Sequence, residues 1–195
     1  MKKIILFGGT FDPVHNGHLV LAQYALEFID AKKVIFIPSY IPPHKLNYKI
    51  THWRHRLNML KLAIKGNPNF EISEFEIKNK GVSYTYKTVD WFSKQYKDYK
   101  IYFLIGFDSL LELHTWQNWR DIIEKVEFLV GTRMIKKEKL KNLNKEVIKK
   151  ITYFDSPIVE ISSTEIRSRV KKGLVVKYFL PEKVEKYIYK NKLYI

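Results

Sequence analysis

The hydrophobic pattern at the start of the sequence alternates short apolar runs with a longer segment of helical spacing. Lys3 to Phe7 and Val34 to Ile37 are apolar runs that end at Gly8 and Pro38. Short continuous runs of this kind are typical of strands buried in a parallel sheet. Between them, residues 17–29 place apolar side chains three and four positions apart, which predicts an amphipathic helix. The pattern therefore predicts a strand–helix–strand unit.

The same alternation of helices and strands continues along the chain. Further strands are predicted over residues 70–77, 101–105, 128–130 and 158–161, and further helices beginning at Thr51, Ser83, Asp121, Ser162 and Pro181. Residues 38–49 are predicted to form a mobile loop. This order predicts an α/β protein of the Rossmann-like class: a doubly wound, mostly parallel sheet with helices on both faces and a helical C-terminal part. No break in composition divides the chain, so we expect a single domain over residues 1–195.

Composition limits the class of protein further. Hydrophobic residues make up 46% and aromatic residues 15% of the 195 positions, which favours a packed globule over a disordered chain. The absence of cysteine excludes disulfides, thiolate metal sites and cysteine nucleophiles, and fits a cytoplasmic location. The apolar run near the N-terminus is too short for a signal peptide, and no window approaches the roughly 18 apolar residues of a membrane span. We therefore expect a soluble, cytoplasmic protein without a membrane partner.

The net charge of +15 leaves two kinds of partner open. It comes from 35 lysines and arginines against 20 acidic residues, which suits either nucleic acid or small polyanionic substrates. Many of the lysines are scattered in positions typical of a solvated face, such as Lys136, Lys137, Lys149 and Lys150. Charge alone does not decide between these interpretations.

The segment GGTFDPVHNGH, residues 8–18, has the chemistry of a phosphate-binding loop. Gly8 and Gly9 follow the first strand, where a phosphate approaches the backbone most closely if no Cβ is present. His15 and His18 come next, and His18 falls in the first turn of a helix whose amides attract anions. An imidazole can stabilise the charge that develops when an α-phosphate is attacked. A His-x-x-His pair can also bind metal, but no carboxylate stands at ligand spacing on this helix, so we expect no metal site in the protein.

Two later segments are weaker candidates for the same ligand. Residues 162–164 offer hydroxyls and free amides at a helix start, with Arg167 one turn further, a geometry suited to phosphates. Helix capping and solvation would also explain these residues. Asp108 follows Gly106 at the end of a predicted strand, where it either accepts hydrogen bonds from a ribose or caps a helix.

Aromatic and basic residues supply candidates for a second substrate. Trp116 and Trp119 could stack on a flat heteroaromatic ring, although tryptophans are more often packing residues. Lys45 follows His44 on a proline-rich loop and could reach a phosphate, although loop lysines are ordinarily solvated.

Residues 8–18 resemble the (H/T)xGH signature of the nucleotidylyltransferase superfamily. In full, they are similar to the corresponding segment of bacterial nicotinate-nucleotide adenylyltransferases. Further motifs that resemble this family follow in order: IPPHK at 41–45, VSYT at 82–85, GFDS at 106–109, Trp116, and ISSTEIRSRV at 161–170. The resemblance spans most of the chain.

The resemblance implies roles for individual residues. It implies that His15, His18 and Arg167 serve catalysis. It implies an ATP site formed by Gly8, Gly9, Thr10, Phe11, His18, Gly106, Asp108, Ser163, Thr164 and Arg167. It implies a site for the second substrate formed by His44, Lys45, Tyr84, Thr85, Trp116 and Arg133. Within that site, Trp116 would stack on a pyridine ring, and Thr85 with neighbouring amides would receive a nicotinate carboxylate; Trp119 stays structural.

The implied reaction is adenylyl transfer from ATP to nicotinate mononucleotide, giving deamido-NAD and pyrophosphate in NAD biosynthesis. The implied cofactor is Mg²⁺ carried by the ATP phosphates, and the implied partners are the two substrates, without nucleic acid; a homo-oligomer is left open. One alternative is transfer to nicotinamide mononucleotide or another phosphorylated acceptor on the same scaffold. A distant alternative is a basic nucleic-acid-binding module, which leaves the paired histidines unexplained.

The chain departs from the family pattern mainly on the acceptor side. Lys87 stands where an acidic residue is expected after the SYT motif, and Met134-Ile135 stand where Pro-Gly is expected after Arg133. Lys80 replaces a commoner arginine, which keeps the charge but removes the bidentate fork. The details of acceptor binding are therefore the less firmly predicted part of the site.

Overall fold

A computed structural model describes residues 1–46, 48–131, 144–157 and 159–195 of the chain. Its strands are β1 Lys2–Gly9, β2 Lys33–Pro38, β3 Phe70–Ile72, β4 Tyr99–Ile105, β5 Glu127–Gly131 and β6 Ile151–Phe154. Its α-helices are α1 Asn16–Phe28, α2 Trp53–Ile64, α3 Phe75–Asn79, α4 Thr85–Gln95, α5 Phe107–Leu111, α6 Trp119–Lys125, α7 Lys145–Ile148, α8 Ser163–Lys171 and α9 Glu182–Lys190. Short 3₁₀ turns lie at Pro43–Lys45 and Leu113–Thr115.

The six strands form one parallel sheet in the order β3-β2-β1-β4-β5-β6. Alternate side chains of β1 enter the cores on opposite faces: Ile5 lies in one and Ile4 and Leu6 in the other, all fully buried. Helices α1, α2, α8 and α9 cover the first face, and α4, α5 and α6 cover the second. The predicted doubly wound sheet and helical C-terminal part are confirmed.

The strand order places a cleft at the carboxyl ends of β1 and β4. From β1 the chain runs outward through β2 to β3 and then returns to β4 on the other side of β1. The connections that leave β1 and β4 therefore diverge, and ligands of such sheets bind at this switch point. The segment after Gly9 and the segment after Ile105 both begin there.

Two predicted strands are wrong in extent or place. The strand predicted over residues 70–77 ends at Ile72, because the Ser73 hydroxyl accepts a hydrogen bond from the Phe75 amide (3.3 Å) and turns the chain into α3. The strand predicted over 158–161 is absent from the described residues 159–161, where the Ile161 amide bonds locally to the Val159 carbonyl (2.9 Å). The sixth strand is β6, which pairs with β5.

Helix starts were predicted with mixed success. The Ser162 hydroxyl caps α8 by accepting from the Glu165 amide (3.1 Å), as predicted. The predicted cap at Ser83 is wrong: α4 begins at Thr85, and the Ser83 hydroxyl instead accepts from the Tyr40 amide of a distant loop (2.9 Å).

Among the described residues, no helix is long and apolar enough to cross a membrane.

Candidate active site

The segment after β1 is built around the buried ring of Phe11. This residue has a left-handed backbone, φ 48°, and its ring packs on Phe7 and Phe36 at centroid distances of 5.5 and 5.8 Å. A Cβ on Gly9 would lie 2.9 Å from the Phe11 ring. Gly9 is therefore required by this ring packing as well as by any ligand that approaches the backbone.

The two histidine rings of the segment lie against each other at the start of α1, tilted by 33°. Their ring centroids are 3.6 Å apart, and His15 is only 5% exposed. The His15 amide donates to Nδ1 of His18 (3.2 Å), so in the neutral ring the proton of His18 resides on Nε2. A Cβ on Gly17 would approach His15 Nδ1 to 3.1 Å, so a glycine leaves room for the pair. The arrangement makes His18 a hydrogen-bond donor through Nε2.

Helix α8 brings its predicted phosphate-binding residues onto the same segment. The Ser163 hydroxyl donates to the Pro13 carbonyl (2.9 Å). Arg167 donates through Nη1 to the Asp12 carbonyl (2.8 Å) and through Nη2 to the Thr164 hydroxyl (3.1 Å). The structure thus joins residues that lie about 150 positions apart in the sequence.

Lys45 reaches the same place from the loop after β2. Its ammonium donates to the Thr10 hydroxyl (3.3 Å). Partial burial lowers the pKa of Lys45, and the neighbouring positive charge of Arg167 lowers it further. An anion bound between these cations would relieve their repulsion, so the electrostatics favour a polyanionic ligand.

Arg56 is a component that the sequence reasoning missed. Arg56 is 1% exposed, and its guanidinium donates to the main-chain carbonyls of Thr10 (2.7 Å), Ser39 (2.6 Å), Tyr40 (2.9 Å) and Thr51 (2.9 Å). Burial lowers the pKa of Arg56 because it disfavours the charged form. The helical spacing of Arg56 with buried Met59 and Leu60 is a signal that could have placed it on the buried face of α2.

A second missed component is a buried carboxylate beside α4. Glu76 accepts hydrogen bonds from the hydroxyls of Thr88 (2.6 Å) and Ser83. Burial raises the pKa of Glu76. The Ser83 hydroxyl also accepts from the Tyr40 amide, so this network joins the loop after β2 to the segment that precedes α4.

The start of α4 is suited to a carboxylate ligand. No side chain of the N-terminal cap residue, Tyr84, bonds to the first amides of the helix, and no acidic residue lies in its first turn. Free amides at a helix N-terminus attract anions. Lys87, the departure from the family pattern, is exposed and extends its ammonium over the rings of Tyr84 and Tyr86 (5.8 and 6.0 Å).

A single cavity of about 830 Å³ connects these parts. Most predicted site residues line it: Gly8, Gly9, Thr10, Phe11, His15, His18, His44, Tyr84, Thr85, Gly106, Asp108, Trp116 and Ser163. Lys45, Thr164 and Arg167 do not line it: Lys45 donates to the Thr10 hydroxyl, Arg167 donates to the Asp12 carbonyl, and the Thr164 hydroxyl accepts from Arg167. Arg133, Met134 and Ile135 lie outside the described residues.

Three further predicted residues have clear positions. Asp108 is exposed in the first turn of α5, whose N-terminal cap is Gly106, so it does not occupy the cap position itself. Trp116 packs edge-on against Phe103 (6.3 Å) while lining the cavity. Trp119 does not line the cavity and carries Arg120 over its ring (4.5 Å).

Within the described part of the chain, no group of three His, Asp or Glu side chains is arranged to hold a metal ion.

The fold and the site together define a nucleotide-binding protein of the Rossmann-like class, and comparison with known proteins specifies the class further. The family model described as cytidylyltransferase-like matches residues 6–169. In Clostridium tetani, a protein with the name "probable nicotinate-nucleotide adenylyltransferase" is 44% identical over 200 residues, which cover 100% of both chains. A protein of the same name in Caldicellulosiruptor saccharolyticus is 41% identical, with 98% of each chain covered. The chain therefore belongs to the nicotinate-nucleotide adenylyltransferase family of cytidylyltransferase-like proteins.

Solved structures agree on the fold. Nicotinic acid mononucleotide adenylyltransferase of Plasmodium falciparum complexed with NaAD superposes with a TM-score of 0.83 at 20% identity, covering 100% of this chain and 98% of the other. The same enzyme complexed with APC gives a TM-score of 0.81 with the same coverage. This likeness confirms the predicted Rossmann-like architecture.

Replacing the buried guanidinium tests whether it holds the loops of the site together. We expect Arg56→Met to lower the free energy of unfolding by about 3 kcal/mol or more, since each buried carbonyl left without a donor costs roughly 1–3 kcal/mol. Urea unfolding measures the change. The matched control is Arg54→Met on the same helix, where the exposed guanidinium lies over Trp53; its effect should stay within about 0.5 kcal/mol. Equal losses in the two variants would contradict the role of Arg56.

The raised pKa of Glu76 predicts that this carboxyl makes the stability of the protein depend on pH. Because the folded state favours the neutral carboxyl, the group contributes its full stabilisation below its unfolded-state pKa. That contribution is lost as the pH rises through its folded-state pKa. Glu76→Gln cannot ionise. We therefore expect the difference in unfolding free energy, Glu76→Gln minus wild type, to become more positive between about pH 4 and pH 8. A difference that stays constant across this range would show that burial does not raise the pKa.

Proposed function

We propose that this protein transfers the adenylyl group of ATP to nicotinate mononucleotide, releasing pyrophosphate and forming deamido-NAD. Membership of the nicotinate-nucleotide adenylyltransferase family supports the reaction class. The observation that carries the proposal is the continuity of the cavity, which runs from His18 at the start of α1 to Thr85 and Trp116. Such a cavity accepts two nucleotides side by side.

On the ATP side, the proposed contacts follow from the geometry of residues 8–18 and α8. The triphosphate lies against Gly8 and Gly9, and His18 donates to it through Nε2. Arg167 supplies positive charge from α8, and Lys45 supplies it from the loop after β2. The ribose bonds to the exposed carboxylate of Asp108. The full proposed set is Gly8, Gly9, Thr10, Phe11, His18, Gly106, Asp108, Ser163, Thr164 and Arg167.

On the acceptor side, the nicotinate ring stacks on Trp116, and its carboxylate meets Thr85 and the free amides that begin α4. His44, Lys45 and Tyr84 complete this proposed set, and Arg133 stays a prediction because it lies outside the described residues. The Glu76 network fixes the position of Ser83, directly before the carboxylate site.

In the proposed mechanism, an oxygen of the 5′-phosphate of nicotinate mononucleotide attacks the α-phosphorus of ATP in line. The bond from the α-phosphorus to the bridging oxygen breaks, and pyrophosphate leaves with that electron pair. The attacking phosphate is already anionic, so no general base is required. The protein positions two anions and stabilises the developing charge through His15, His18 and Arg167.

Magnesium carried by the phosphates would add charge neutralisation when it is bound. The described residues place imidazole, hydroxyl and cationic groups around the proposed triphosphate position. These groups suit the phosphates, so the metal would enter the site already bound to the nucleotide. A cytoplasmic location and the absence of nucleic-acid partners stay predictions, and the sequence leaves a homo-oligomer open.

An acceptor panel tests the proposal. With ATP and Mg²⁺, we expect pyrophosphate release with nicotinate mononucleotide to exceed that with nicotinamide mononucleotide by roughly 10- to 100-fold in kcat/KM, because charge-assisted hydrogen bonds contribute about 1.5–3 kcal/mol. Omitting the acceptor provides the background rate, and phosphopantetheine serves as an unrelated acceptor. Equal or faster turnover with the amide would overturn the acid preference, and release only with phosphopantetheine would overturn the acceptor class.

A further inference from the structure

We propose that Tyr194, close to the C-terminal end of the chain, is a positioning residue that holds the 10–18 segment in its phosphate-binding conformation. The inference rests on the proposed function for its kinetic readout. Its geometric basis is one hydrogen bond, in which the Tyr194 hydroxyl donates to Oδ1 of Asp12 at 2.6 Å. Asp12 lies inside the segment between Phe11 and the paired histidines.

Asp12 connects three separate parts of the chain. Its carboxylate is 5% exposed and uses its second oxygen, Oδ2, to accept from the Thr51 amide (3.1 Å). Its main-chain carbonyl accepts from Nη1 of Arg167 (2.8 Å). A shift of Asp12 would therefore move a cation of the proposed ATP site together with the loop.

The backbone conformation near Tyr194 places its hydroxyl beside Asp12. Lys192 and Tyr194 both have left-handed backbones, φ 50° and 66°, which residues other than glycine adopt only at a free-energy cost. This turn folds the chain back after α9, and Leu193 and Tyr194 pack against the first core. Burial beside the Asp12 carboxylate raises the pKa of Tyr194, so the hydroxyl remains protonated and able to donate at neutral pH.

The same C-terminal region also holds the far side of the segment. The Asn16 amide donates to the Phe179 carbonyl (3.0 Å), and its side-chain nitrogen donates to the Tyr178 carbonyl (2.9 Å). With Ser163 bonded to Pro13, the residues from Asp12 to Asn16 are held at three points by residues 163–194. His15 lies within this clamped stretch.

Tyr187, on the preceding helix α9, provides a matched control. Its hydroxyl contacts His55 Nδ1 (3.0 Å) and accepts from Asn58 (3.1 Å), which attaches α9 to α2. Neither contact involves residues 10–18. Tyr187→Phe therefore removes an anchoring hydroxyl of the C-terminal region without touching the proposed ATP site, whereas Tyr194→Phe keeps the ring and removes the hydroxyl that holds Asp12.

The experiment compares both variants with the wild type well below their melting temperatures. We expect Tyr194→Phe to raise KM for ATP and lower kcat, with kcat/KM for ATP falling roughly 10- to 100-fold, since displacement of positioned groups by about 1 Å can cost that much. KM for nicotinate mononucleotide should change less than about twofold, and Tyr187→Phe should leave all three parameters within about twofold. Unchanged kinetics in Tyr194→Phe would overturn the proposal, as would equal kinetic losses in both variants.

ATP binding without an acceptor separates this inference from the proposed function. Titration calorimetry with ATP and Mg²⁺ should show weaker binding to Tyr194→Phe than to the wild type or to Tyr187→Phe. This result would stand even if the wild type used another acceptor. Equal ATP affinity in all three proteins would overturn the positioning role, whereas a wild type that binds ATP but releases no pyrophosphate with nicotinate mononucleotide would overturn only the proposed acceptor.

Discussion

The buried guanidinium of Arg56 is the interaction on which the geometry of the cavity depends. A cation removed from water is costly unless its donors are satisfied, and here main-chain carbonyls from two connections satisfy them. The connection between β1 and α1 is thereby fixed to both ends of the connection between β2 and α2. Since Thr10 supplies one of the four carbonyls, the backbone of residues 8–18 is held at this position, while the Thr10 hydroxyl accepts from Lys45.

This arrangement brings the cations Lys45, Arg56 and Arg167 close to one another, and Asp12 supplies part of the compensating negative charge. The hydrogen bonds of these cations within the described residues go to hydroxyl and carbonyl groups. Burial lowers the pKa of Lys45, and the positive charges of Arg167 and Arg56 lower it further. A triphosphate would supply the missing negative charge, so the site is organised for its ligand before the ligand binds. Direct transfer between two phosphates needs this kind of preorganisation more than it needs acid–base chemistry.

Features that depend on neighbouring residues could be predicted from the sequence, and features that depend on residues distant in the sequence could not. The parallel sheet was predicted because most of its strands are local apolar runs, although β6 was missed. The site motifs were recognised because glycines, histidines and SSTxxR are contiguous patterns. The Ser83 cap was wrong because the hydroxyl's partner, Tyr40, is 43 positions away. Arg56, Glu76 and Tyr194 were missed for the same reason: their roles lie in contacts with distant loops, and each reads locally as an ordinary polar residue. The strand predicted over 70–77 failed on a single serine that turns the chain.

In the proposed mechanism, the paired-histidine segment stabilises the charge that develops as the α-phosphate is attacked, and the turnover of His18→Ala tests this role. At saturating ATP and nicotinate mononucleotide, kcat should fall roughly 100-fold or more, because the Nε2 donor acts where charge develops. Circular dichroism of the variant should show an intact fold. A kcat within a few-fold of the wild type in a folded His18→Ala protein would contradict the account.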